Sequence, residues 1–255
     1  MTTASLTPGH AALLAAAGVV AGAVNAVAGG GSLLSFPALL AVGLSPLAAN
    51  VTNTVGLLPG YLGGMVAYRD ELAGQRKRVL ELGAVVTVGA ALGCALLLLT
   101  PAATFSAVAP YLVLTACALL AAQPRLSAAL RRRDGGEVRH RPWPLRAAVL
   151  LGGVYASYFG AAVGVLLLAV MGVLLNDTLQ RVNAVKTTLS SIATVLGAAV
   201  YLLLAPVHLA EAGVLMVASL VGGRVGGGFA RKLPDQVLRG LVLVVGVGVA
   251  VRLLV

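Results

Sequence analysis

The chain has 255 residues, of which 59% are hydrophobic and only 10% charged, with a net charge of +10 and a mean hydropathy of +0.99. Soluble domains carry charge at about a quarter of their positions, so a water-soluble fold is excluded, and aromatics at 4% with no basic interleaving exclude a nucleic-acid surface. The reading is an all-α, polytopic helical membrane protein, whose arginines flank apolar segments and so anchor and orient them.

Residues 1–9 hold no Lys or Arg, so the positive start of a secretory signal peptide is missing. Residues 11–68 then run without a charge. As one helix, 11–45 would be about 50 Å long, against a hydrocarbon core of about 30 Å. It must break, and the "GGGSLLSFP" stretch at 29–37 supplies poor helix formers at that depth. The piece beyond the break, 32–44, spans only about 20 Å if helical, enough to enter the membrane and return. Single crossings are predicted over 50–68, 79–99 and 104–122. A linker follows over 124–146, with seven arginines from 125 to 146. Residues 147–175 would again be too long, at about 44 Å, and must break within "YASYFGAAVG" at 155–164. Further crossings are predicted over 182–203, 209–229 and 237–254. Cys94 and Cys117 fall in separate apolar runs and read as packing residues, with no metal or redox spacing.

Charge placement sets the parity. If each long region crosses once, 12 flanking cations fall on one side and 4 on the other. If each is a hairpin, the split is 15 to 1, which the positive-inside rule prefers. Both termini are then expected outside and the 124–146 linker in the cytoplasm, in a multi-pass protein of the inner (plasma) membrane. The chain becomes two halves, 11–123 and 147–255, each a broken-helix hairpin plus three transmembrane helices. Three is odd, so the halves form inverted repeats within one transmembrane domain. "ANVTNT" at 49–54 aligns with "VNAVKT" at 182–187, each just after a hairpin.

Inverted repeats with interrupted helices are a transporter pattern. Irregular backbone is tolerated at membrane depth only where protein buries it or a polar cavity meets it. The turn Gly29, Gly30, Gly31 and Ser32 is therefore a candidate site, with backbone N–H groups at a helix start able to meet an anion. The alternative is that the glycines only allow close packing. Asn50, Asn53 and Thr54 share one helix face by spacing, and Asn183, Lys186, Thr187 and Ser190 repeat it in the second half. Interhelical hydrogen bonding is the alternative for these groups. Asn25 and Arg224 are weaker candidates. Lys186 and Arg224 lie within predicted crossings, where a charge faces a cavity, meets a partner or snorkels to the interface.

The stretch "AGAVNAVAGGGSLLSFPALLAVGLSPLAANVTNTVGLLPGYLGG" and the "YRDEL" that follows it resemble the sulfite exporter TauE/SafE family. The resemblance is specific over 18–78. In the second half, "GAAVG" replaces the glycine triplet. It implies transport of small anions, often sulfur-containing, such as sulfite or sulfonates.

The expected function is thus a secondary carrier or facilitator, in the export direction, for a small anion. The expected partners are that anion and the lipid bilayer, with no cofactor and no metal. No phosphate-binding "GxxxxGK[ST]" loop is present. An inside-negative potential favours anion exit by about 2.3 kcal/mol per charge per 100 mV. The alternatives are an intramembrane enzyme, which would need a nucleophile–base pair or metal ligands within the crossings, and a non-transporting membrane partner protein.

Overall fold

Helix is the only regular structure among the described residues, which in this computed structural model are 6–27, 30–131, 142–175, 177–229 and 235–254. In chain order the helices are α1 (Pro8–Val27), α2 (Ser32–Ala41), α3 (Pro46–Ala67), α4 (Arg76–Leu99) and α5 (Ala102–Arg131). They continue as α6 (Pro142–Tyr158), α7 (Val163–Leu174), α8 (Leu179–Leu204), α9 (Leu209–Phe229) and α10 (Asp235–Leu254).

Both long apolar regions break where the sequence leads one to expect. The first interruption separates α1 from α2, and the second separates α6 from α7 at residues 159–162. With 10 and 12 residues, α2 and α7 are about 15 and 18 Å long, too short for a crossing. The long helix after each begins on a hydroxyl cap. Ser45 accepts the Ala48 N–H ahead of Pro46, and Thr178 accepts the Arg181 N–H.

Stretches within α1, α4, α5 and α8 are long and apolar enough to cross a membrane. Helix α3 has the length, at 22 residues, but carries Asn50, Thr52, Asn53 and Thr54. Helix α5 runs past the predicted 122 to Arg131, and α6 opens at Pro142, so helix enters both ends of the expected linker. The linker's middle, 132–141, lies outside the described residues.

Burial is arranged for lipid rather than water. Leu99, Leu203, Val217 and Val244 point outward and are 67% exposed or more. Ser32, Ser35, Asn50, Thr52, Asn53, Lys186 and Ser190 are buried. An apolar skin around polar interior groups suits a bilayer, where polar side chains must find partners inside the protein.

Lipid tails are as apolar as leucine, so close packing has to hold such helices together. Glycine supplies it along two seams. Helix α1 lies against α9, where a Cβ on Gly22 or Gly222 would overlap the carbonyl of Ser219 or Val19. Helix α4 lies against α6, where a Cβ on Gly89 or Gly93 would overlap the carbonyl of Leu150 or Val154. Helix α3 packs on α9 and α8 on α4, while α3 and α8 meet in the centre. Helix α2 is buried along Ser32–Leu39.

Candidate functional site

The two interruptions converge on the centre of the molecule. At the first, Gly30 adopts φ +114°, a conformation that side-chain-bearing residues rarely take. The turn folds back over Asn25, whose Oδ1 accepts the N–H groups of Gly30 (3.1 Å) and Gly31 (2.8 Å). Gly31 also seats the turn against α1, because a Cβ there would overlap the Ala21 carbonyl. The turn's geometry then places Ser32 at the buried start of α2.

At the second, Gly160 has φ +76° and Ala162 has φ +57°. This turn is held from outside itself. The Tyr155 hydroxyl donates to the Ala161 carbonyl (2.8 Å). The Tyr201 hydroxyl donates to the Ser157 carbonyl. Asn50 of α3 donates from Nδ2 to the Tyr158 carbonyl (2.9 Å). Phe36 of α2 meets Phe159 edge to face, with centroids 5.4 Å apart. The two interruptions are thereby tied to each other and to α3.

A small cavity lies between them, lined by Ser32, Asn53, Thr54, Tyr61, Gly160 and Thr194 among others. Its volume of about 20 Å³ is room for roughly one water. The starts of α2 and α7 both border it, so the positive ends of two helix dipoles meet there. No carboxylate lines it among the described residues. The Ser32 hydroxyl is buried with no hydrogen-bond partner. Ser35 donates to Asn53 Oδ1 (2.5 Å), which leaves the Asn53 amide nitrogen as that side chain's donor. Thr54 and Thr194 give their hydroxyl protons to the Asn50 and Ser190 carbonyls (3.0 and 2.9 Å). The Ser32 hydroxyl and the Asn53 amide are thus donors left to a cavity set at two helix starts, where the dipoles favour negative charge.

The family profile described as "Sulfite exporter TauE/SafE" matches residues 14–253. The chain belongs to the sulfite exporter TauE/SafE family. It is 25% identical over 240 residues to the "Probable membrane transporter protein YfcA" of Escherichia coli K12, covering 92% of this chain and 86% of that one. It is 25% identical over 233 residues to a "Probable membrane transporter protein" of Haemophilus influenzae, covering 91% and 90%. Against "Probable membrane transporter protein ORF9" of a Sinorhizobium species it is 25% identical over 249 residues, covering 95% and 92%. No solved structure matches it significantly. This TauE/SafE protein is therefore a membrane protein of a transporter family, not an enzyme.

Of the residues singled out from its sequence, Ser32, Asn53 and Thr54 come together on the cavity. Gly30 and Gly31 shape the turn, and their N–H groups are already taken by Asn25. The expected free backbone donors are thus absent at those two positions, because the asparagine one turn earlier reaches them first. Asn25 braces the turn, and its own Nδ2 is buried without a partner. Gly29 lies outside the described residues. Asn50 is 2% exposed and spans the two halves rather than lining the cavity.

In the second half, Thr187 and Asn183 are half-buried on α8, off the cavity. Ser190 is buried with an unpartnered hydroxyl one turn before Thr194. Lys186 is buried at 7% exposure and makes no hydrogen bond or ion pair among the described residues. Arg224 is exposed. The cavity's second-half wall comes instead from the α6–α7 turn and Thr194. Tyr61 and Thr194 were not singled out from sequence. Each lies seven residues beyond a residue that was, Thr54 and Thr187, and so two turns further along the same face.

Proposed function

We propose that the protein exports a small anion, a sulfur oxyanion such as sulfite or an organosulfonate, through the cavity between the two helix interruptions. The observation that carries this reading is the unpartnered Ser32 hydroxyl in an acid-free cavity at the starts of α2 and α7. Ser32 and the Asn53 amide hydrogen-bond the anion, and the two helix starts favour its charge. Thr54, Tyr61 and Thr194 complete the enclosure. With room for about one water, the conformation described is a closed one, and an anion enters by widening it. Lys186 and Ser190 lie on the α8 face that leads to Thr194, at about 12 and 6 Å along the helix. They serve the anion on its approach from the cytoplasm.

The two halves act as inverted repeats of five helices each. Support comes from their matched order of long, short and three further helices, and from pairings that match when the halves are exchanged. Helix α1 packs on α9 as α6 packs on α4, and α3 on α9 as α8 on α4. An inner-membrane location with both termini outside follows from the charge split described above. Single cysteines at Thr3 and Gly135, in a background lacking Cys94 and Cys117, give the check in intact cells. An impermeant thiol reagent should label Thr3 and spare Gly135. The opposite pattern overturns the orientation.

Transport is tested with purified protein in liposomes across a panel of sulfite, sulfonates and chloride. A hydrogen bond to a charged group contributes about 1.5–3 kcal/mol, so Ser32→Ala and Asn53→Ala should each slow anion flux by roughly tenfold or more. Removing an unpartnered hydroxyl should leave the Ser32→Ala protein at least as stable as the parent. If both variants are folded and carry the anions at the parent rate, the route lies elsewhere.

A further inference from the structure

A second, larger cavity of about 390 Å³ opens where the starts of α4, α6 and α8 meet the end of α7. It shares no lining residue with the cavity at Ser32. Lys77, Arg78, Arg146 and Arg181 line it, together with Glu81. Asp177 sits beside it, 2.6 Å from Arg78 and 2.9 Å from Arg181. Arg146 is 3.5 Å from Glu81, with both side chains nearly half exposed. Four cations therefore face two acids, an excess of two positive charges. Lys77 has no ion pair among the described residues. Three helix starts border the space and add to the positive potential.

The cavity's depth is marked independently. Trp143, the second residue of α6, is 76% exposed, with the Arg146 guanidinium 5.8 Å from its ring. An outward-facing tryptophan beside cations belongs at the membrane–water interface. Arg146 therefore lines the cavity at the level of lipid headgroups. The volume is of ligand-site size. Guanidinium forks beside a lysine suit phosphate oxygens. Basic pockets between transmembrane helices at this depth are where anionic headgroups dock.

We propose that this cavity binds a phosphate group, presented at this depth by the headgroup of an anionic phospholipid. Lys77 and Arg146 are the main contacts, since Asp177 holds Arg78 and Arg181 at 2.6 and 2.9 Å, whereas Arg146 meets Glu81 only at 3.5 Å between two nearly half-exposed side chains. The α3–α4 turn and α4 come from the first half of the chain, and the ends of α6, α7 and α8 from the second. The bound headgroup clamps the two together.

The test uses the purified full-length protein in nanodiscs of phosphatidylcholine alone or doped with phosphatidylglycerol. Native mass spectrometry counts the lipid retained, and the thermal unfolding midpoint is read in parallel. The expected result is preferential retention of phosphatidylglycerol with a raised midpoint. At about 1 kcal/mol per cation near the membrane surface, the Lys77→Gln/Arg146→Gln variant should bind it roughly 30-fold more weakly. Arg69→Gln, an exposed cation outside the cavity, should change nothing. If inorganic phosphate or glycerol phosphate raises the midpoint in phosphatidylcholine discs, and the double variant abolishes that rise, the phosphate site stands and its source is soluble. If the parent protein prefers no phosphate-bearing anion, or the preference survives in a folded double variant, the proposal is overturned.

Discussion

Gly31 and Asn25 together explain how a helix break survives at membrane depth. Two backbone N–H groups without water cost several kcal/mol if unpaired, and one asparagine oxygen satisfies both. The glycine lets the turn sit on the α1 backbone, with no space for a Cβ against Ala21. Gly31→Ala should thus lower stability by about 1–3 kcal/mol through overpacking. Gly248→Ala, in α10 with open space around it, should stabilise slightly through helix propensity. Thermal unfolding of both variants in detergent makes the comparison, and equal shifts would refute the role given to the Ala21 contact. The polar face of α3 was legible as a spacing pattern, and two of its members reach the cavity. The Asn25 role was not legible. It depends on a side chain reaching five and six residues ahead, across a turn in which Gly30 has a positive φ.

At the scale of elements, both breaks were legible from length, because neither 35 nor 29 apolar residues fit one crossing. The second break was harder to read, since "GAAVG" lacks the triplet. Its turn is set by Gly160 and a left-handed Ala162 and held by Tyr155, Tyr201 and Asn50. Two of those braces come from other helices, so no local pattern reveals them. A left-handed alanine costs roughly 1–2 kcal/mol. Ala162→Gly should therefore raise the unfolding midpoint. Gly160→Ala should lower it, because φ is +76° there and a Cβ would come 2.7 Å from the Ala156 carbonyl. A fall in Ala162→Gly would mean that the strain is smaller than the packing contribution of its buried methyl group.

The α7–α8 loop adds a link that depends on pH. Burial raises the Asp177 carboxyl, but hydrogen bonds from Arg78, the Thr178 N–H and Arg181, with the Arg181 charge, outweigh it and hold it below the usual carboxylate range. The folded protein then binds this proton less tightly than the unfolded chain does. The stabilisation is complete above about pH 4, the unfolded value, and is lost as pH falls through the lower native one. An unfolding midpoint followed from pH 7 to pH 3 should drop, and Asp177→Asn should flatten that drop. An unchanged slope would show that the cluster contributes nothing.

For the whole molecule, the order and number of helices were legible from hydropathy and charge, because a bilayer constrains both. How the halves interlock was not. It rests on glycine seams between α1 and α9 and between α4 and α6, whose partners are about 200 and 60 residues apart. Each seam joins a helix of the first half to one of the second. The helices thus pack as two composite groups, α1 with α3 and α9, and α4 with α6 and α8. Each sequence half straddles both, so the chain is laced from one group to the other. The contact of α3 with α8 joins the two groups, and Thr54 of α3 and Thr194 of α8 both line the small cavity there. On the proposed reading, a tilt of one group against the other would open or shut the space between those two threonines, so the walls that enclose the anion beside Ser32 and Asn53 would also be the jaws that release it.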